Sequence, residues 1–156
     1  MIYIDGIVFS LQRAGGISVY FKTLLHYLRS SDASATLIVD NKNLQQNELA
    51  ELELSQMRQS ARLLERYRKC QLPNDATIFH SSYYRLPEKR NVPTVITVYD
   101  FIYEHFSNGP RRWVHSAQKN AAIRSAQEII CISHSTKADL LNFVGEIPGQ
   151  TVHVIH

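Results

Sequence analysis

The chain has 156 residues, 44% hydrophobic and 20% charged, the proportions of an ordinary globular domain with enough length for a sizeable core. Seventeen basic residues against fourteen acidic ones leave +3, too mild a balance to point to nucleic acid. No run approaches the ~20 apolar residues of a membrane span, so any membrane contact is expected to be peripheral.

The first apolar run is interrupted by Asp5 and has no basic segment ahead of it, so no signal peptide is expected. Cys70 and Cys131 lie far apart without metal-ligand spacing, and are expected to be reduced thiols of a cytosolic protein. Ile2 to Val8 is a β-branched and aromatic run that predicts a strand. After a polar turn, Gly15 and Gly16 open a helix with Ile17, Tyr20, Phe21, Leu24, Leu25 and Leu28 on one face. Strand, glycine pair and helix in that order can seat a phosphate, because glycine lets backbone N–H groups approach closely and the helix N-terminus is partly positive. The same pair can equally do no more than make the strand-to-helix turn.

Ala35 to Asp40 is a second strand, apolar on both faces. The polar stretch from Asn41 to Leu72 predicts one or two helices. In the second, Met57, Ser60, Leu63, Leu64, Tyr67 and Gln71 share a face, and Arg58, Arg62, Arg66 and Lys69 line the other. That basic stripe could meet anionic lipid headgroups or a phosphorylated acceptor, or simply be a solvated face. A third strand, Ala76 to His80, leads into Ser81–Glu88, where aromatics and Arg85 suggest a crevice loop. Val92 to Tyr99 is a fourth strand with Asp100 at its carboxyl end, and the loop continues from Phe101 to Phe106.

Asn108-Gly109-Pro110 breaks the chain before a helix over about Arg111 to Ala126. Its small face of Val114, Ala117, Ala121, Ala122 and Ser125 is expected to sit close against a sheet. Glu128 to Ser133 is a fifth strand. Ser133, Ser135 or Thr136 can cap the next helix, Thr136 and Asp139 having capping-box spacing, and Leu140, Leu141 and Val144 bury it. Thr151 to His156 is the last strand. Alternating strands and helices with doubly apolar strands predict a parallel, Rossmann-like sheet covered on both faces, in one domain over residues 1–156. Ligands of such sheets bind outside the carboxyl ends of the strands, where the Gly15 turn, the His80 loop, Tyr99-Asp100 and Ser133-His134 should converge.

Several of those edge segments together resemble the N-terminal domain of a retaining glycosyltransferase of family four, of the GT-B group. They are Gly15-Gly16-Ile17-Ser18, Phe79–Pro87, Thr94–Phe106, Ala126–Leu140 and the terminal Val152–His156. The resemblance implies the acceptor-side half of a two-lobed enzyme that moves a sugar from a nucleotide-sugar to a saccharide or lipid-linked acceptor in cell-surface polysaccharide synthesis. The donor-binding C-terminal domain would lie beyond His156, leaving this polypeptide silent alone. The nucleotide-sugar is then a co-substrate, and neither a metal nor any other cofactor is expected. The location implied is cytoplasmic, peripheral to the inner membrane face.

Residue by residue, the resemblance assigns the donor's diphosphate to the N–H groups of Gly15 and Gly16. Asp100 would hydrogen-bond acceptor or sugar hydroxyls, and His80, Tyr83, Tyr84, Arg85, Ser133 and His134 would contact substrate. One position departs from the family pattern: Tyr99 stands where a histidine usually precedes the aspartate. Tyrosine donates a hydrogen bond but carries no imidazole charge near neutral pH, so either the contact is rearranged or His80, His105 or His134 substitutes. Asp100 could also be a turn cap. A stand-alone nucleotide- or phosphate-binding module, and an interaction or peripheral membrane domain using the Arg58–Lys69 stripe, are the competing readings.

Overall fold

A computed structural model describes residues 1–12, 14–31, 33–40, 54–106 and 109–155, without the side chains of 110–112. Seven strands, β1 (Ile2–Asp5), β2 (Ala35–Asp40), β3 (Ser55–Gln59), β4 (Ile78–Ser81), β5 (Thr94–Val98), β6 (Glu128–Cys131) and β7 (Thr151–Val154), form one sheet. Its order is β3-β2-β1-β4-β5-β6-β7 and every pair is parallel. Between them run α1 (Ile7–Leu11), α2 (Gly16–Ser30), α3 (Ile102–Phe106), α4 (Pro110–Ser125) and α5 (His134–Phe143), with a 3-10 turn at Glu65–Tyr67. This is the Rossmann-like α/β fold that the sequence pattern predicts. Strand order reverses between β1 and β4. With right-handed crossovers, α2 and the α4–α5 pair therefore cover opposite faces of the sheet.

Burial follows the two-residue period of the strands. Ile4, Leu37 and Val39 share one face of the sheet and join Phe21 and Leu25 of α2 in the main core, while Tyr3, Ile38 and Phe79, one residue out of step, face the other way and pack with Cys70, Leu72 and Val92. Among the described residues no helix is long and apolar enough to cross a membrane.

Four local expectations are corrected. β1 ends at Asp5 rather than Val8, because the Asp5 carboxylate accepts the Ile7 N–H and starts α1. Gly6 makes the bend possible: its N–H donates to the Ile38 carbonyl, and a Cβ at that position would collide with the same oxygen. The segment 57–71 is not a helix but strand β3 and the 3-10 turn, so the basic stripe does not form as a helical face. The backbone ladder from β2 wins over a helical periodicity that was coincidental, with Ile38 beside Met57 and Val39 beside Arg58. Phe101–Phe106 is not all loop, since α3 begins at Ile102. On α4 only Ala122 of the expected small-residue face is buried, and Lys119 and Ile123, followed by Ala126, are buried with it while Val114, Ala117, Ala121 and Ser125 are exposed. The first part of the expected helical stretch, 41–53, together with Asn108 and His156, lies outside the described residues.

Candidate functional site

The carboxyl ends of β1, β5 and β6 open onto one groove of about 770 Å³, lined by Leu11, Gln12, Ala14, Gly15, Gly16, Ile17, Tyr20, Tyr99, Asp100 and Ile132. Two features of opposite character meet in it. One is the N-terminus of α2. Gly15 precedes the helix with no side-chain cap, and the first intrahelical bond runs from Val19 N–H to the Gly15 carbonyl. The N–H groups of Gly16, Ile17 and Ser18 therefore have no partner within the helix, and the positive end of the helix dipole sits at the groove. A Cβ on Gly16 would meet nothing within 4 Å, so this glycine borders open space, whereas one on Gly15 would come 2.6 Å from Gln12 Oε1.

The other feature is Asp100, exposed at the end of β5, with Oδ1 accepting the Ile102 N–H at 3.1 Å. Asp100 thus caps α3 and faces the groove at once. Its backbone is held from below by Lys119, whose Nζ donates to the Asp100 carbonyl at 2.8 Å and to Glu104 Oε2 at 2.7 Å. Lys119 is wholly buried, with its ammonium 4.3 Å from the centre of the Phe101 ring. The Tyr99 carbonyl accepts from Thr136 Oγ1, so α5 also grips this turn. A cationic helix end and a fixed carboxylate across one cleft can hold an anionic group and a hydroxyl-bearing group side by side.

The sequence model of Glycosyltransferase Family 4 matches residues 14–156, from the edge of the groove's glycine turn through β7. The chain belongs to Glycosyltransferase Family 4. Neither curated proteins nor solved structures gave a significant match. Its fold is consistent with one half of a GT-B enzyme, and the chain is a glycosyltransferase-type domain.

Within that family framework the expected site residues divide. Gly15, Gly16, Tyr99 and Asp100 come together in the groove. Tyr99 borders the groove, but its ring packs against Tyr20 and Tyr84, its hydroxyl donates to the Ser82 carbonyl at 3.1 Å, and burial raises its pKa far above the ordinary value, so it stays neutral. Ser133 is the N-cap of α5, accepting the Thr136 N–H, and His134 is exposed in the first turn behind it. Tyr83 is half-buried, with Arg66 over its ring and His115 beside it.

Three of the expected residues lie inside the fold rather than among the groove's lining residues. His80 lies in the core, edge-on to Phe21 with Nε2 2.9 Å from Thr97 Oγ1, and burial lowers its pKa to about 4. Neutral and enclosed, this imidazole is not part of the groove's wall. Tyr84 is buried at positive φ, its ring packed against Tyr83, Tyr99 and His115. Arg85 is 4% exposed and committed to a structural network, donating to Asp5 at 3.2 Å, to Glu65 at 2.8 Å and to the Arg68 carbonyl. Burial pushes the Asp5 pKa up to about 6 despite Arg85 and the Ile7 N–H, while Asp5 Oδ2 has no hydrogen-bond partner. At Glu65 burial works against the charge, yet hydrogen bonds from Arg62 and the nearby Arg85 hold it below the usual carboxylate value.

Sequence reading missed the rest of the groove wall. Gln12 and Ile132 carry no signal of their own, and Tyr20 reads simply as part of the apolar face of α2. Lys119 gives no hint of burial, since a lysine in a polar helix reads as solvent-facing.

Proposed function

We propose that this chain is the acceptor-side lobe of a retaining hexosyltransferase that moves a sugar from a nucleotide-sugar to a saccharide or lipid-linked acceptor. Cell-surface polysaccharide synthesis on the cytoplasmic side of a membrane is the setting the reading implies. The single observation that carries it is the groove in which the uncapped N-terminus of α2 faces Asp100. Negative charge develops on the diphosphate as the sugar–phosphate bond breaks, and N–H groups already aimed at it stabilise that charge without reorganisation. Removing one such donor typically costs about 3 kcal/mol in the transition state. Asp100, held by Lys119 and by Ile102, is placed to accept a hydrogen bond from an acceptor or sugar hydroxyl.

Family membership supports the transferase class. Retention, and the division of labour with a donor-binding C-terminal lobe, rest on the resemblance of the edge segments. The lobe alone presents one wall of the cleft, so it is expected to be inactive. Nucleotide-sugars and acceptors incubated with this chain alone should give no transfer. A protein that also carries the donor lobe should give transfer, and lose about a hundredfold of it on Asp100→Asn. Turnover by the lone chain would overturn the division of labour, and an unaffected Asp100→Asn enzyme would overturn the role of the aspartate.

A further inference from the structure

The arginines of segment 58–69 do not form a helical stripe, yet the structure gives them another arrangement. After β3 the chain makes a tight turn over residues 61–69 with two adjacent leucines at its tip, Leu63 81% and Leu64 64% exposed, and a half-exposed Tyr67 beside them. Leu64 has φ +59°, a left-handed conformation that costs a leucine energy. The turn is braced rather than slack. The Glu65 carboxylate receives Arg62 through Nε at 2.9 Å and Nη2 at 3.0 Å, while Arg62 Nη2 also reaches the Lys69 carbonyl and Arg68 Nε the Leu63 carbonyl. Buried Arg85 anchors the whole to Asp5 through Glu65.

We propose that this turn docks the protein on an anionic lipid surface, Leu63 and Leu64 entering the bilayer interface while Arg68 and Lys69 meet the headgroup phosphates. Charge complementarity selects this occupant. Glu65, the sole acid of the turn, is consumed inward by Arg62 and Arg85, while Arg68 and Lys69 are exposed at its base and Arg66 lies over the Tyr67 ring. Size selects it too. Two leucines and a tyrosine fall far short of the roughly 800 Å² per partner that a stable protein interface buries. A bilayer needs only a few apolar side chains with cations behind them, and a tyrosine suits the wet boundary between the two. The turn leaves the same sheet edge as the groove, and Arg66 also covers Tyr83. A lipid-anchored acceptor would then be delivered beside the cleft; that consequence rests on the transferase reading, whereas vesicle binding does not.

Co-sedimentation of the chain with phosphatidylcholine vesicles, with and without phosphatidylglycerol, tests the proposal. Binding should require phosphatidylglycerol and weaken as salt is raised. Leu63→Ser with Leu64→Asn should lower the apparent affinity at least about tenfold. The melting temperature of that variant should hold or rise, because asparagine tolerates the left-handed conformation. Arg68→Gln with Lys69→Gln should lower affinity about 25-fold, roughly fivefold per cation. Absence of binding, equal binding to neutral vesicles, or undiminished binding of the leucine variant would overturn it. So would a dimer in lipid-free solution that the leucine variant abolishes, which would assign the turn to a second copy of the chain.

Discussion

His80 and Asp5, both buried near the carboxyl end of the central strands, titrate in opposite senses. The folded state holds His80 down to about 4 against an ordinary 6.5, so its contribution to stability is full above 6.5 and is lost as pH falls toward 4. Burial holds Asp5 up to about 6 against 3.8, so its contribution is full below 3.8 and is lost as pH rises through 6. Between about 4 and 6 the two offset each other. Replacing the histidine by glutamine removes one side of that balance. Urea denaturation across this window should show the His80→Gln variant losing stability with rising pH more steeply than the parent, by about 1.4 kcal/mol per pH unit. Equal slopes would mean that the ring takes up its proton in the folded chain. The glycines separate in the same way. Gly6→Ala, driven against the Ile38 carbonyl, should destabilise the fold, whereas Gly16→Ala, bordering open space, should leave stability intact. Thermal melts of the two variants distinguish the positions. No pattern in the sequence announces these buried charges, because Arg85 and Asp5 are 80 residues apart and meet only through the sheet.

At the scale of elements, what could be read from sequence was what both faces of the sheet demand. β2 and β5 are nearly continuous apolar runs because both their faces are buried, and the period of α2 is clear because one stripe of it packs on the core. β3 was illegible for the converse reason. It is an edge strand, so Gln56, Arg58 and Gln59 are not held to an apolar pattern, and nothing in their side chains opposes a helix. α4 shows how one side chain can set a helix's rotation. Lys119 turns inward to Glu104 and the Asp100 carbonyl, and of the small residues expected to be buried only Ala122 is. Lys119→Met should destabilise the chain by about 3–5 kcal/mol, since it leaves the 7%-exposed Glu104 side chain without its charge partner, with only the Ser116 hydroxyl still donating to it. Adding Glu104→Gln should recover much of that loss, and a double-mutant cycle by urea denaturation measures the coupling. A cycle that sums to zero would show that the pair does not act as a unit.

For the molecule as a whole, the place of the site was legible where its residues were not all so. The rule that ligands gather at the carboxyl edge of a parallel sheet put Gly15, Gly16, Tyr99 and Asp100 on one rim, and the groove joins them. The same rule carried His80, Tyr84 and Arg85 to that edge but could not tell surface from interior, since burial depends on how α2 and the 61–69 turn close over them. The central proposition is that the N-terminus of α2 receives the diphosphate of a sugar donor while Asp100, across the groove, accepts from a sugar or acceptor hydroxyl. Titrating the isotope-labelled chain with a nucleoside diphosphate, and following its backbone amides by NMR, tests this most directly. The amides of Gly16, Ile17 and Ser18 should shift, and those of the distant 145–150 loop should stay still. Shifts confined to that distant loop, or none at the α2 N-terminus at saturating nucleotide, would contradict it.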